Sequence, residues 1–355
     1  RKCLEKIPEK RYRNAEELAS DLNEILEKKP DIVGITATEP QVLFTYDIAK
    51  TVKNLLPEAF VVVGGPHFTF IWKEVLSKHP EIDAVVLHEG EYTMLELVET
   101  FEKGESLASV KGIAYRDSSQ KIVKTSSRPL IENLDSIPFP AWHLMPLQLY
   151  RYEYGCMYVL TSRGCPSNCR FCVSPAMWMK KFRVRSVKNV VDEIEVLVKK
   201  HWFNYLYFVD DVFTLNMERT MKICDEILSR GLSFEWGCMT RVDCVNRELL
   251  RKMYSAGCRS ILFGIESGSQ NVLNYMGKKT TNLQITDAVK WAKEFGITVT
   301  GSFIIGYPGE TKEDMIKTFE FSQTLGLDFI QYHPLAVYPG TQLFNEIGKL
   351  GVIVD

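Results

Sequence analysis

The chain has 355 residues, 45% apolar and 25% charged, with a formal net charge of −2. That length leaves room for two domains, the composition is that of an ordinary globular protein, and the near-neutral charge offers nothing to nucleic acid or an acidic membrane surface. No apolar run reaches the length of a membrane span, the opening Arg1-Lys-Cys-Leu-Glu-Lys makes no signal peptide, and nine cysteines, an odd number, suit a reducing cytoplasm better than a disulfide framework.

Residues 1–29 read as a charged helical segment, and the missing initiator Met predicts a fragment or a fusion. Within it, Ala15 to Leu26 has the pattern of an amphipathic helix capped by Asn14. The stretch from Cys3 to Leu22 is similar to the final helices of bacterial serine/threonine kinase domains. No glycine-rich loop or catalytic loop of a kinase exists here, so a helix packed on the following sheet is the preferred reading.

Residues 30–130 alternate strand and helix. Pro30–Thr36 reads as a buried strand, Val42–Leu56 as a helix, and Phe60–Val63 as a strand entering the turn Gly64-Gly65-Pro66-His67. Trp72–Lys78 is helix-like. Ala84–Leu87 is a strand entering His88-Glu-Gly90-Glu91, and a helix runs on to Phe101. This is the pattern of a doubly wound, Rossmann-like α/β domain, whose ligands sit beyond the strand C-termini. Gly112–Lys124 reads as a hairpin. Residues 131–155 form a proline-containing linker in which Pro138 and Pro140 hold an extended path.

Residues 156–355 carry six strand patterns: Met157–Thr161, Tyr205–Val209, Phe234–Met239, Ser260–Ile265, Val299–Ile305 and Phe329–Tyr332. Each but the last is followed by a helix pattern, at Val187–Val198, Glu218–Ser229, Arg247–Ala256, Leu283–Phe295 and Lys312–Leu325. The alternation predicts a parallel sheet with right-handed crossovers. About 200 residues suit six units better than the eight of a full barrel, which takes about 250. A partial, open (β/α)6 barrel follows, with its functional groups at the strand C-terminal ends.

Those ends are where the chemistry-bearing residues fall: a cysteine loop after the first strand, then Asp210-Asp211, Thr240-Arg241, Glu266-Ser267-Gly268, Gly306-Tyr-Pro-Gly309-Glu310 and Tyr338-Pro-Gly-Thr341. Singly, each has a bland explanation, such as a helix cap or a surface charge. One set per strand end argues for a shared site. The cysteine loop is the most specific feature: Cys165, Cys169 and Cys172 stand as Cys-x3-Cys-x2-Cys. Iron–sulfur clusters normally take four cysteines, one per iron; three leave one iron open. A zinc site would usually show two Cys-x2-Cys pairs or histidines, and no histidine lies between His143 and His201. The other cysteines show no ligand spacing and read as small core residues.

The cysteine spacing, with Phe171 before the third cysteine, resembles the signature of the radical S-adenosylmethionine (radical SAM) family, and the likeness extends over about residues 156–345. It implies a [4Fe-4S] cluster on Cys165, Cys169 and Cys172. The open iron would bind the amino and carboxylate groups of SAM, and an electron from the cluster would make a 5′-deoxyadenosyl radical. The resemblance further implies Phe171 near the adenine, Glu266 facing the ribose or methionyl amine, and Gly306 and Gly309 in a turn that approaches SAM. Arg241 is a candidate partner for the SAM carboxylate, and Asp211 and Tyr338 are candidates to face the substrate.

Residues 30–130 resemble the cobalamin-binding domain that precedes many radical SAM cores, incomplete by its first two strands. The likeness places Gly64, Gly65, His67 and Gly90 at the cobalamin. No Asp-x-His-x-x-Gly segment supplies an axial cobalt ligand. The function implied is a cobalamin-dependent radical SAM enzyme, a transferase moving methyl groups or a cyclase rearranging an organic small molecule. It would be fed by a reductant such as flavodoxin or ferredoxin. A non-catalytic cluster- or corrinoid-binding sensor is the rival.

Overall fold

The computed structural model describes residues 29–145, 147, 150, 151 and 155–350. The helix expected over Ala15–Leu26 and Cys3 lie outside them. The chain divides into two compact units: the residues up to Ile131 together with Tyr338–Gly340, and the remainder from Glu132.

The first unit is a five-stranded sheet in the order β1 (Ile32–Thr36), β2 (Phe60–Gly64), β3 (Ala84–Val86), β4 (Ile113–Arg116) and β5 (Ile122–Lys124). The first three strands are parallel, and the β4–β5 hairpin extends the sheet antiparallel. Helices α1 (Val42–Leu55), α2 (Pro66–Lys78) and α3 (Glu91–Glu102) form the crossovers. The apolar run Phe60-Val-Val-Val exists because both faces of β2 are covered. Val61 and Val63 pack with Phe68, Val75 and Leu76, while Val62 packs with Leu97 and Ile113 on the other side. Helix α2 begins at Pro66 rather than Trp72, since proline is preset for the first helical position. The preceding Gly65 has φ +111°, and a Cβ there would overlap the Ala37 carbonyl oxygen, so only glycine allows the turn.

The second unit holds β6 (Met157–Val159), the two-residue strands β7 (Ser162–Arg163) and β8 (Arg183–Val184), β9 (Tyr205–Phe208), β10 (Glu235–Thr240), β11 (Cys258–Glu266), β12 (Thr298–Ile305) and β13 (Phe329–Pro334). β6, β9, β10, β11, β12 and β13 lie side by side in chain order, every neighbour pair parallel. No pairing joins β6 to β13 among the described residues, which is the open six-unit barrel the strand count predicts. β7 and β8 form a small antiparallel ribbon.

The helices are α4 (Ser174–Met177), α5 (Val187–Glu195), α6 (Met217–Ser229), α7 (Arg247–Ser255), α8 (Gln270–Met276), α9 (Asn282–Glu294), α10 (Lys312–Thr324) and α11 (Gln342–Leu350). Helix α5 continues as a π turn over Val196–Lys200. The short α4 and α8 and the ribbon are additions to the sequence reading, too brief to give a periodic signal, and the helix after β13 is an addition whose amphipathic pattern was passed over. Strand alternation sorts the core. Phe208, Trp236, Cys238, Ile261, Phe263, Val299 and Phe303 pack with Ile194, Ile223, Leu250, Met253 and Ile285 of the helix layer. The opposite strand faces carry small residues such as Gly237, Gly264 and Ser302.

Candidate functional site

The first β-strand of the barrel leads straight into the cysteine loop, and buried polar groups hold its start. Asp210, fully buried at the end of β9, accepts hydrogen bonds from the Thr161 amide (3.2 Å), the Thr161 hydroxyl (2.8 Å) and the Ser162 hydroxyl. Burial pushes its carboxyl up, and these donors together with the nearby Arg219 pull it back. Asp211 accepts from the Gly164 amide at 3.1 Å. Its carboxyl too is pushed up by burial, against the pull of Ser174 and the Gly164 amide. Gly164 has φ +93°, and a Cβ on it would overlap the Lys181 carbonyl oxygen.

Further on, the Arg170 amide donates to the Met276 carbonyl of α8, and the Leu343 amide donates to the Arg170 carbonyl, both at 2.9 Å. Gly277 ends α8 at φ +73°, and a Cβ there would come within 2.8 Å of the Asn168 carbonyl oxygen. The loop is thus clamped from three directions by chain far away in sequence.

A cavity of about 220 Å³ opens at these strand ends. Its wall includes Cys165, Cys169 and Cys172, with Phe171, Asp211, Arg241, Glu266 and Lys278. The four strand-end sets from β6, β9, β10 and β11 therefore converge. Ser167, Ser174, Thr240 and Ser302 add hydroxyls; Val212, Met239 and Leu262 add apolar surface. Burial raises the Cys172 thiol to about 12. Cys169 is also raised by burial, with Lys278 and Arg241 pulling it back. Among the described residues no three Cys, His, Asp or Glu side chains converge as ligands of a single ion.

Arg241 is spoken for. Its Nε and Nη2 fork onto Asp243 at 2.8 Å each, and Nη2 also donates to the Lys278 carbonyl at 2.8 Å. Its Nη1 lies 3.7 Å from Cys169 Sγ. Burial alone would lower the guanidinium's proton affinity, but Asp243 holds it above the usual value.

Glu266 ends β11 at φ +71°, in the left-handed region where a non-glycine residue is strained. The β11–β12 register shifts between Gly264 and Glu266. This bulge turns the carboxylate onto Lys278 Nζ at 2.7 Å, with both side chains at most 10% exposed. The pair lies over Gly264, where a Cβ would come within 2.6 Å of Glu266 Oε1. Lys278 and Gly264 were missed in the sequence. Neither carries a local signal: Lys278 reaches the strand end only because Gly277 closes α8 against Asn168.

Of the remaining expected residues, Phe171 is at the cavity and the others lie elsewhere. Phe171 lines the cavity and packs beside Met276 and Tyr307. Gly306 and Gly309, both at φ +85°, shape a turn closed by Glu310, whose carboxylate accepts from the Gly306 and Tyr307 amides at 2.6 and 3.1 Å. Neither glycine lines the cavity, nor does Tyr338, which groups with the first unit. Gly64, Gly65, His67 and Gly90 sit at the C-terminal ends of β2 and β3. His67 Nδ1 is engaged by Glu39. Around that rim stand exposed apolar side chains at the starts of α1 and α3: Leu43 (76% exposed), Phe44 and Tyr92.

An open parallel barrel with three thiols at its strand ends, preceded in the chain by a second α/β unit, defines a cluster-dependent α/β enzyme class. Residues 159–322 match the Radical SAM superfamily model, and residues 12–98 match the B12 binding domain. An uncharacterized methyltransferase of Pyrococcus horikoshii is 42% identical over 336 residues, covering 93% of this chain and 72% of that protein. An anaerobic magnesium-protoporphyrin IX monomethyl ester cyclase of Rubrivivax gelatinosus is 35% identical over 335 residues, covering 92% of this chain and 60% of that one. Among solved structures, the radical SAM methyltransferase TsrM of Kitasatospora setae superposes with a TM-score of 0.82 at 21% identity, over 94% of this chain and 68% of TsrM. The chain belongs to the radical SAM superfamily and carries a B12 binding domain ahead of the barrel. It spans about 60–72% of the length of the two curated relatives. No helix among the described residues is long and apolar enough to cross a membrane.

Proposed function

We propose that this chain is a cobalamin-dependent radical SAM enzyme that transfers a methyl group to an organic small molecule. The observation that carries the reading is the gathering of three thiols, a buried Glu–Lys pair and an anchored arginine around one cavity of about 220 Å³. The donor set fits an iron–sulfur cluster: three thiols on one cavity wall, beside two cations that offset the charge of ligated thiolates. A bound metal deprotonates its thiols outright, which overcomes the effect of burial on Cys169 and Cys172. The rim of the first unit, small at Gly64, Gly65 and Gly90 and apolar at Leu43, Phe44 and Tyr92, fits the face of a broad ring such as a corrin. When bound, the cluster supplies the electron that cleaves SAM to a 5′-deoxyadenosyl radical, and cobalamin supplies a methyl carrier.

The chain's own residues bind and orient. Cys165, Cys169 and Cys172 would hold the cluster. Arg241, fixed by Asp243, directs one N–H at Cys169 and stabilises negative charge on that sulfur. Glu266 and Lys278 present one carboxylate and one ammonium, the complements of the amino and carboxylate groups of an amino-acid-like cofactor. Met239, Leu262 and Val212 give the cavity an apolar lining that excludes water. Asp211, open to the cavity, is positioned to meet a substrate. The electron donor would be a reductant protein such as a flavodoxin or ferredoxin. A second reading, radical ring closure, is favoured by the 35% identity to the cyclase.

The test is anaerobic reconstitution with iron and sulfide, then assay of 5′-deoxyadenosine from SAM under a strong reductant, with and without cobalamin. The expected result is nucleoside from the intact protein and none from Cys169→Ala. A full cluster with no nucleoside would refute the enzyme reading in favour of a sensor.

A further inference from the structure

Cross-strand register follows the concave face of the barrel down from the cavity. Met239 stands beside Leu262, and Leu262 beside Thr300. Met239 and Leu262 both line the cavity. Two residues nearer the strand starts, the next level runs Tyr158, Tyr207, Gly237 and Ser260, each beside the next. Residues two apart in a strand share a face, so the cavity wall and this level form one continuous surface. Neither level carries a formal charge. The charges at the rim above are turned on one another, Glu266 onto Lys278 and Arg241 onto Asp243, and Asp211 stands beyond the end of β9.

Gly237 gives this face its shape. A Cβ there would come within 2.3 Å of Ser260 Oγ, 2.6 Å of the Tyr205 hydroxyl and 2.9 Å of the Tyr207 ring. The two tyrosines therefore lean across β10, and the hydrogen bond between Tyr205 and Ser260 at 2.6 Å fixes the lean. The Tyr158 ring stands edge-on to Tyr207, with centroids 6.3 Å apart and planes at 76°. Neither Tyr158 nor Tyr207 belongs to the apolar core against the helices. Tyr158 is 51% exposed and Tyr207 is half-buried. The Tyr205 hydroxyl is engaged by Ser260, whereas those of Tyr158 and Tyr207 have no hydrogen-bond partner among the described residues. Burial pushes both phenols up, so each remains a donor at neutral pH.

We infer that this face holds the substrate by an uncharged flat ring that bears a carbonyl or ether oxygen, with the ring against Tyr158 and Tyr207 and the oxygen on the Tyr207 hydroxyl. The inference rests on the enzyme reading above and adds the chemical class of the molecule acted on. A charged group placed here would give up its water with no opposite charge to meet it. A ring gains from contact with the tyrosine rings. The phenol O–H replaces the hydrogen bond that the ring oxygen loses from water, and a ring with no such oxygen forgoes it. Gly237 and Ser260, small and central, leave the space above them to the ligand.

The test uses the reconstituted full chain and equilibrium dialysis with three probes. Coumarin is an uncharged ring with a lactone carbonyl, coumarin-3-carboxylate is the same ring with a charge, and naphthalene is a ring of similar size with no oxygen. Coumarin is expected to bind at least about tenfold more tightly than the carboxylate. Tyr207→Phe keeps the ring and removes the hydroxyl; it is expected to weaken coumarin about three- to tenfold and to leave naphthalene unchanged. Tyr158→Ala, at a half-exposed position, is expected to weaken both. Equal or tighter binding of the carboxylate would overturn the proposal, as would coumarin binding that Tyr207→Phe does not change. Equal weakening of coumarin and naphthalene by Tyr207→Phe would overturn it too, by showing a damaged face rather than a lost donor. 5′-Deoxyadenosine from SAM is assayed on the same samples. Nucleoside with no coumarin bound would overturn this proposal alone, whereas a full cluster with no nucleoside would sink the enzyme reading and this proposal with it.

Discussion

Replacing Lys278 by Met is the sharpest test of how the cavity is built. The change keeps an unbranched side chain, one atom shorter, and removes its charge. Glu266 is then left buried, its side chain 10% exposed, with its 2.7 Å partner gone and its backbone still held at φ +71°. Breaking a buried pair by removing one partner costs about 3–5 kcal/mol, because the remaining charge has no compensation. The Arg241 bond to residue 278 is to the backbone carbonyl and survives, so the loss is confined to the pair. Two compact units need not unfold together, so the readout should be local. Hydrogen exchange of the β11 amides in the iron-free protein is suitable, and at about 1.4 kcal/mol per factor of ten the expected loss of protection is roughly a hundredfold to a few thousandfold. The double variant Glu266→Gln/Lys278→Met, which leaves no charge buried, should recover most of it. If Lys278→Met exchanges within a few-fold of the parent, or the double variant is no better than the single, the buried pair is not what shapes this wall.

Two further outcomes follow from local geometry. Gly164→Ala forces a Cβ into the Lys181 carbonyl at a φ of +93°, so the loop must open; iron and sulfide per chain after reconstitution should fall well below the parent, and full loading would refute the clamp. Asp314 closes the capping box of α10 with Thr311, and the Ser269 and Thr311 hydroxyls hold its carboxyl below the ordinary value. A depressed folded value means its contribution is present above the unfolded value of about 3.9 and is lost as pH falls through the folded one. The stability gap between parent and Asp314→Asn should therefore hold at pH 5 and shrink as pH falls below about 4, and a gap that does not change with pH would count against the assignment.

The barrel was legible because its strands announce themselves. Runs such as Tyr205–Val209 and Val299–Ile305 are bounded by clear helical periods, and sequential order in a parallel sheet follows from right-handed crossovers. The cysteine spacing and the acids and arginine at four strand ends were visible for the same reason. What was not visible depends on contacts across the chain. Lys278 reaches the cavity only because Gly277 ends α8 against Asn168. Gly264 matters only because the bulge before Glu266 folds a carboxylate over it. At Gly65, expected at the ligand rim, the local need for glycine was not visible: a Cβ there would meet the Ala37 carbonyl oxygen. Arg241 was placed at the right strand end, while its fork onto Asp243, two residues on, escaped notice.

The clamps on the cysteine loop also set an order of events during synthesis. Asp210 and Asp211 follow the cysteines closely, but Met276 and Leu343, which bond to Arg170, come much later. Leu343 leaves the ribosome about 170 residues after Cys172, which at ~5–20 residues per second is on the order of ten to thirty seconds. Through that interval the three thiols belong to a loop fastened at one end only. Contacts so distant in sequence are also the slow ones to form. A cluster on these thiols would therefore gain its full support only when the barrel is complete, and until then the nascent chain holds its cysteines in a loop that is more open to oxidation.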